Sequence, residues 1–348
     1  MLSEKRVTAR RTIPFLLIGL LIFVAYLYFF IGIPEMLTVM QRVNLFYYLL
    51  AVAVLLLNML VSSLIWQYFL RPLSVNAPLK KTFLITWIGA FVDLLVPAES
   101  ISGDASKVYL MSKESGANTG KVVASVVSHR ILSMITTLST LIISSLSLLI
   151  LQYELNTLVS IVIFLVAIGT VTSLILIVLL CIREQLTRKL IDLLLRFFVF
   201  ISRGRLDIAN LRIKAKKALD AFHQSIEVLR RNPKSLVRPA IFSIISWFLG
   251  VLLSFIVYIS LGRPVSFVLL SIVYSITCSL QNIPMGVPGE VGFVEVVMTN
   301  LYGLLGVPYD LSAAATVLIR FLTVWFKLLI GFVVVQRIGI KTLMGGAR

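Results

Sequence analysis

The sequence predicts an all-α protein, a polytopic bundle of transmembrane helices. Its 348 residues are 59% hydrophobic, with a mean hydropathy of +1.01, whereas soluble domains are about 45–50% apolar. The apolar residues form runs long enough to cross a bilayer, which takes about 20 helical residues. These runs do not show the alternation of apolar and polar residues that is typical of membrane barrels. Because a backbone in lipid must satisfy its own hydrogen bonds, we expect the runs to be helices.

Six apolar runs are candidate transmembrane spans in a single integral membrane domain, 1–348. Five of them contain no Asp, Glu, Lys or Arg: residues 12–34, 45–70, 131–153, 158–182 and 239–262. The sixth run, 311–336, is apolar except for Arg320 and Lys327. The first run is longer than the roughly 7–15 apolar residues of a signal-peptide core, so we interpret it as a span.

Positive charge is concentrated in particular connections between the runs. The net charge is +17, and residues 183–238 alone hold 14 Lys and Arg against five Asp and Glu. Basic residues also flank both ends of the chain, whereas the connections after the first, third and fifth runs carry only Arg42 and Arg263. The positive-inside rule therefore predicts a multi-pass protein of the cell membrane with both termini and the large basic loop in the cytoplasm.

Two further apolar stretches, 82–97 and 265–289, each end in a break that is followed by a short helix. Proline and glycine end helices and permit irregular backbone. The residues of these broken-helix motifs are Pro97, Gly103, Pro284, Pro288, Gly289 and Gly292. Irregular backbone at membrane depth survives only where protein or a water-filled cavity covers it. We therefore expect two re-entrant helical hairpins.

The order of these elements predicts two related halves, repeat 1 over 12–153 and repeat 2 over 158–337. Each half has two spans, then a helix, a break and a short helix, and finally a long span. If each hairpin returns to the side that it entered from, each half crosses three times and the second half is inverted. Inverted repeats with broken helices are typical of transporters whose substrate site lies near the midplane. The alternative is eight full spans, which the charge distribution does not distinguish.

The loop 184–234 is predicted to be amphipathic and helical. Its apolar residues recur at helical spacing in two series, one beginning at Leu186 and one that ends before Asn232. Helices of this kind lie along the membrane interface. We expect a helical hairpin at the cytoplasmic face, too small to be a separate catalytic domain.

Ionisable residues at membrane depth are functional hypotheses by default. The candidates for contact with a lipid headgroup are Asp104, Arg130, Glu290, Glu295, Arg320 and Lys327. A guanidinium can hold a phosphate through paired hydrogen bonds, and the seven-residue spacing of Arg320 and Lys327 predicts one shared helix face. In the competing interpretation, Arg130 pairs with Asp104, and Arg320 with Glu295, to lock the short helices to the long ones. Glu290 alternatively caps the second short helix.

The motifs at the two breaks resemble two blocks of a known family. The first block is carried by Pro97, Gly103, Asp104 and Arg130, and the second by Pro284, Pro288, Gly289, Gly292, Glu295 and Arg320. They are similar to the lysylphosphatidylglycerol synthase transmembrane region, a family of flippase-like membrane proteins. It includes the membrane half of the multiple peptide resistance factor, which moves aminoacylated phosphatidylglycerol between leaflets. The resemblance covers nearly the whole chain but no synthase domain, so we expect no synthesis of lysylphosphatidylglycerol.

These observations predict a flippase-like lipid transporter that moves a phosphate-bearing lipid, a phospholipid or a polyprenyl phosphate, between leaflets. The alternative is a membrane scaffold that recruits a lipid- or glycan-modifying enzyme through the basic loop. We expect no enzyme, cofactor or metal, because no nucleophile–base pair, nucleotide loop or metal cluster is recognisable. The expected partners are anionic or phosphate-bearing lipids and no nucleic acid, since topology and attraction to anionic lipids explain the basic loop.

Overall fold

The described part of the chain is helical, and no strand occurs in it. The computed structural model describes Tyr28 and residues 33–96, 101–153, 156–201, 208–282 and 286–344. The helices of these residues, numbered in chain order, are α1 (Ile33–Met40), α2 (Leu45–Leu70), α3 (Leu79–Leu95), α4 (Ile101–Ser115), α5 (Thr119–Ile150), α6 (Thr157–Ile182), α7 (Glu184–Ile201), α8 (Ile208–Arg231), α9 (Lys234–Ser260), α10 (Phe267–Leu280), α11 (Phe293–Leu304), α12 (Tyr309–Arg320) and α13 (Lys327–Met344). A π-helical stretch, Phe321–Phe326, joins α12 to α13.

Five continuous helical segments of the described residues are long and apolar enough to cross a membrane. They are Leu45–Leu73, Thr119–Ile150, Thr157–Ile182, Lys234–Ser260 and Tyr309–Arg337. The prediction of an all-α polytopic bundle is therefore confirmed. The predicted run 12–34 lies outside the described residues except for Tyr28 and its last two positions.

Helix α5 begins well before the apolar run 131–153 that predicted it. Asn118 caps it by accepting a hydrogen bond at 2.9 Å from the backbone N–H of Gly120. Lys121 and Arg130 had limited the charge-free run, but both lie within the helix. This longer helix carries Arg130 into the bundle, where its charge finds partners.

Four helices next to the two breaks are shorter than the main spans. Helices α3 and α4 have 17 and 15 residues, and α10 and α11 have 14 and 12. At about 1.5 Å per residue, α10 and α11 are roughly 21 and 18 Å long, less than the ~30 Å of a hydrocarbon core. Whether each pair re-enters the membrane from one side stays a prediction.

Contacts between the two predicted halves are reciprocal. Helices α2 and α9, which hold corresponding places in the halves, pack along each other. Helix α3 of the first half packs against α13 of the second, and α10 of the second packs against α5 of the first. Two related halves would produce this exchange, and their inversion stays a prediction.

Polar side chains join the halves within the apolar interior. Asn58 Nδ2 donates to the backbone carbonyl of Ser246 at 3.1 Å, and the Ser246 hydroxyl donates back to Asn58 Oδ1 at 2.8 Å. The hydroxyls of Thr136 and Ser243 lie 2.8 Å apart. Apolar contact contributes little driving force between helices in lipid, so such bonds and close packing hold the bundle together.

Helices α7 and α8 of the basic loop are held to each other and to the bundle. Arg188 on α7 pairs with Glu184 in the same helix, and with Asp220 on α8 at 3.1 Å. Helix α8 also packs along α5, where Gly120 lies against the backbone of Ala218. The side of the membrane on which this hairpin lies stays a prediction.

Candidate polar cavity and its flanking arginines

A polar cavity of about 320 Å³ lies among helices of both predicted halves. Helices α2 and α3 line it from the first half, and α9 to α13 from the second. Its charged and amide side chains are those of Asn58, Asp93, Gln281, Arg320 and Lys327. Asn58 is near the middle of α2, and Arg320 and Lys327 are in the middle of the span Tyr309–Arg337, so the cavity is at mid-depth.

A second cavity, of about 290 Å³, adjoins the first. The residues that line both are Ser62, Asp93, Ser246, Tyr274, Cys278 and Gln281. The second cavity continues past His129 to Asn282, and Ser133 and Thr136 add hydroxyls to its wall. The two cavities form one polar region inside an otherwise apolar bundle, which we call the central cavity.

Arg320 is held in a buried ion pair at one side of the central cavity. Its Nε donates to Glu295 Oε1 at 2.8 Å and its Nη2 to the Gly289 carbonyl at 2.5 Å. The side chains of Arg320 and Glu295 are only 5% and 4% exposed. Glu295 Oε2 also accepts from the backbone N–H of Gly292 at 2.7 Å. One carboxylate therefore ties the second break, the start of α11 and the last span together.

Arg130 makes the corresponding pair near the other end of the central cavity, with looser geometry. Its Nη1 lies 3.4 Å from Asp104 Oδ2, and its Nη2 donates to the Asn282 carbonyl at 3.2 Å. Asp104 is shared with Lys107, whose Nζ is 3.1 Å from Oδ1. The Arg130 and Asp104 side chains are 21% and 25% exposed. This pair joins α4 and α5 of the first half to the end of α10 in the second.

The first break is closed by Asp93 at the end of α3. Asp93 Oδ1 accepts hydrogen bonds from the Gly103 N–H at 2.6 Å and from the Ser102 hydroxyl at 3.0 Å. An acid at this place also complements the N-terminal dipole of α4. A Cβ on Gly103 would collide with the Asp93 carboxylate and the Gly89 carbonyl. The glycine of the first motif is therefore explained by close helix approach.

The second break depends on left-handed backbone instead. Gly289 has a φ of 57° and Gly292 a φ of 92°, values that favour glycine. Glu290, between them, also has a positive φ of 49°. Its side chain is fully buried, and neither carboxylate oxygen has a hydrogen-bond partner in the described residues. Glu290 makes no capping hydrogen bond to α11 in the described residues; Glu295 accepts one instead from the N–H of Gly292, the residue immediately before the helix.

The π-helical stretch Phe321–Phe326 lies between Arg320 and Lys327. The seven-residue spacing of Arg320 and Lys327 had predicted one shared face on a regular α-helix. The wider π turn between them means that this spacing no longer fixes a shared face. Both side chains nevertheless line the same cavity. Single π turns within α-helices are frequent at functional sites.

The structure distributes the predicted headgroup residues among three environments. Arg320 and Lys327 line the larger cavity, and Glu295 is paired with Arg320. Arg130, which is paired with Asp104, bonds to Asn282 in the wall of the smaller cavity. Glu290 is enclosed behind the second break. The motif residues Pro97 and Pro284 lie outside the described residues.

Sequence reasoning missed the uncharged polar residues that line the central cavity. Asn58 and Gln281 project amides into it, and Tyr274 and Ser246 add hydroxyls. The available signal was an uncharged polar residue within an apolar span, as Asn58 is within 45–70. Such residues are costly in lipid and face the protein interior.

Three archaeal relatives resemble the chain along most of its length. A UPF0104 membrane protein of Pyrococcus horikoshii is 25% identical over 314 residues, which cover 88% of this chain and 91% of that protein. UPF0104 membrane proteins of Methanothermobacter thermautotrophicus and Methanocaldococcus jannaschii are each 23% identical, over 89% and 91% of this chain and 90% and 92% of their own lengths. The family described as Lysylphosphatidylglycerol synthase TM region matches residues 16–331. The chain therefore belongs to the lysylphosphatidylglycerol synthase transmembrane region family.

Proposed function

We propose that this integral membrane protein is a lipid transporter that moves a phosphate-bearing lipid, a phospholipid or a polyprenyl phosphate, between leaflets. The observation that carries the proposal is the central cavity, a polar space at mid-depth with Arg320 and Lys327 in its wall. Polar space and cations at this depth are costly, and they mark substrate pathways in membrane proteins.

The wall of the larger cavity offers donors suited to phosphate oxygens. Arg320 uses Nε and Nη2 to hold Glu295 and Gly289, and Nη1 makes no hydrogen bond to the described residues. Lys327 adds an ammonium group, which binds phosphate as a point charge. The charge of Asp93 is offset by the start of α4, to which it is hydrogen bonded.

The size of the central cavity suits a headgroup with its acyl or polyprenyl tails outside. Its two parts, of about 320 and 290 Å³, are at the small end of ligand pockets. The headgroup would enter the polar space while the tails remain in the bilayer. The cavity lies between the halves, where transporters built from repeats hold their substrates.

Lipid movement in proteoliposomes tests the proposal. The purified protein is reconstituted with fluorescent phosphatidylglycerol or a fluorescent polyprenyl phosphate, and the loss of signal to dithionite follows lipid that reaches the outer leaflet. We expect faster loss than in protein-free vesicles. Lys327→Met should slow it about tenfold or more, because a charge-assisted hydrogen bond contributes about 1.5–3 kcal/mol.

Lys80→Met is the matched control, because it removes an exposed lysine at the start of α3 that is not among the residues lining the cavity. It should leave lipid movement unchanged. Wild-type rates in a folded Lys327→Met protein would refute a headgroup site at this lysine. No movement above protein-free vesicles with either lipid class would refute the proposed transport.

A further inference from the structure

Glu290 is a buried acid that the headgroup site does not use. Its side chain is fully buried, it is not among the residues that line the central cavity, and neither oxygen has a hydrogen-bond partner in the described chain. Its φ of 49° is uncommon for a residue other than glycine. Strained backbone of this kind clusters at ligand clamps and switch regions.

The arginine beside Glu290 is already paired with another acid. Arg320 is bonded to the carbonyl of Gly289 and forms an ion pair with Glu295 at 2.8 Å. An ionised Glu290 would therefore be a negative charge away from water, with no hydrogen-bond or ion-pair partner on either oxygen in the described residues. A buried carboxyl in such a setting is neutralised by a proton.

The other titratable groups near Glu290 belong to the elements packed around the second break. They are Cys278 on α10, Asp93 on α3 and Lys327 on α13. Asp93 differs from Glu290 in its contacts, because it accepts two hydrogen bonds at the start of α4. Arg320, which lines the larger part of the central cavity, is bonded to the carbonyl of Gly289, so the acid that follows Gly289 lies close behind the cavity wall.

We infer that Glu290 is a proton-binding site and that, given the proposed lipid transport, lipid movement through the central cavity is coupled to proton movement. Glu290 takes up a proton from water on one side of the membrane when the second break closes over it. When the break opens to the other side, the carboxylic acid releases that proton to water and becomes a carboxylate. A group whose protonation differs between two conformations makes their equilibrium depend on pH.

One hydrogen bond links the described part of the second break, residues 286–292, to the wall of the central cavity. Arg320 is bonded to the Gly289 carbonyl, immediately before Glu290, and the same guanidinium borders the cavity in which we place the phosphate. A phosphate that draws Arg320 towards the cavity would pull on the backbone that encloses Glu290. One hydrogen bond thus links Arg320, in the proposed lipid site, to Gly289, the residue immediately before the proposed proton site.

Infrared spectroscopy tests the proton site without any need for transport. The purified wild-type protein should show the carbonyl band of a protonated carboxyl group at neutral pH, sensitive to exchange into D2O. Glu290→Gln should remove this band, and Glu290→Asp should shift it. Glu114→Gln, in the half-exposed pair with Lys81, should leave it unchanged. A wild-type spectrum without the band, or a band that survives in Glu290→Gln, would overturn the proton site.

Lipid movement under a pH gradient tests the coupling. With Na⁺ and K⁺ equal on both sides, one pH unit can drive at most about a tenfold lipid asymmetry per proton. We expect an asymmetry that reverses when the gradient is reversed and that disappears in Glu290→Gln. Lipid movement that ignores pH, or that follows a Na⁺ gradient, would overturn proton coupling while leaving the proposed transport intact. If lipid does not move at all, the proposed function fails, and the infrared band still decides whether Glu290 binds a proton.

Discussion

Arg130 and Arg320 occupy corresponding places in the two predicted halves but very different environments. Arg320 and Glu295 are about 5% exposed and 2.8 Å apart, and each has a further backbone partner. Arg130 and Asp104 are more than 20% exposed and 3.4 Å apart, and Asp104 is shared with Lys107. The pair of Arg320 and Glu295 closes a break, whereas Arg130 and Asp104 can exchange partners. The structural ion-pair interpretation therefore fits Arg320 better than it fits Arg130.

The difference follows from what each arginine reaches. Arg320 bonds to the break of its own half, through Gly289. Arg130 bonds to Asn282, at the end of α10 in the other half. A bond within one half can persist while the halves move, but a bond between halves must break when they separate. We therefore expect the bond between Arg130 and Asn282 to break during the proposed transport, and the bond between Arg320 and Gly289 to persist.

The largest expected effect is the loss of stability when the buried pair is broken. Glu295→Ala should lower the free energy of unfolding by about 3–5 kcal/mol, because it leaves a buried arginine without its counter-charge. Asp104→Ala should cost less than about 1 kcal/mol, since Arg130 is partly exposed and has another partner. Chemical unfolding in lipid bicelles measures both.

A double variant provides the control for this prediction. Adding Arg320→Met to Glu295→Ala removes the uncompensated cation and should restore part of the lost stability. Equal losses for Glu295→Ala and Asp104→Ala would contradict the distinction between a buried and an exchangeable pair.

A smaller loss of stability is expected when the close helix approach at the first break is disturbed. Gly103→Ala should lower the free energy of unfolding by about 1–3 kcal/mol through overpacking against Asp93 and Gly89. Gly169→Ala in α6 is the matched control, because no atom lies within 4 Å of its added Cβ. It should be neutral or stabilising by up to about 1 kcal/mol, since alanine favours helix. Equal effects of the two substitutions would show that α3 and α4 do not need their close approach.

The spans were predictable because their signal is local. Charge-free runs of sufficient length indicated four of the five described spans, and a run interrupted only by Arg320 and Lys327 indicated the fifth. The spacing of the charges suggested the partners of Arg130 and Arg320. The starts of helices such as α5 were not predicted, because a capping residue and not hydropathy sets them.

The details of the central cavity were not predictable because they depend on packing between distant segments. The Asn282 carbonyl that binds Arg130 is 152 residues away along the chain. The π-helical stretch before Lys327 and the isolation of Glu290 also have no local sequence signature. Both arise where the second break meets the last span.

Protection of a native cysteine tests most directly that a phosphate headgroup occupies the central cavity. Cys278 lines both parts of the cavity, and Cys181→Ala removes the other cysteine in the chain. The rate of alkylation of Cys278 by N-ethylmaleimide is measured in maltoside detergent, with added phosphatidylglycerol, polyprenyl phosphate or diacylglycerol.

We predict that a phosphate-bearing lipid slows alkylation severalfold, that diacylglycerol does not, and that Lys327→Met abolishes the protection. The same alkylation rate with saturating amounts of all three lipids would contradict a headgroup site in the central cavity.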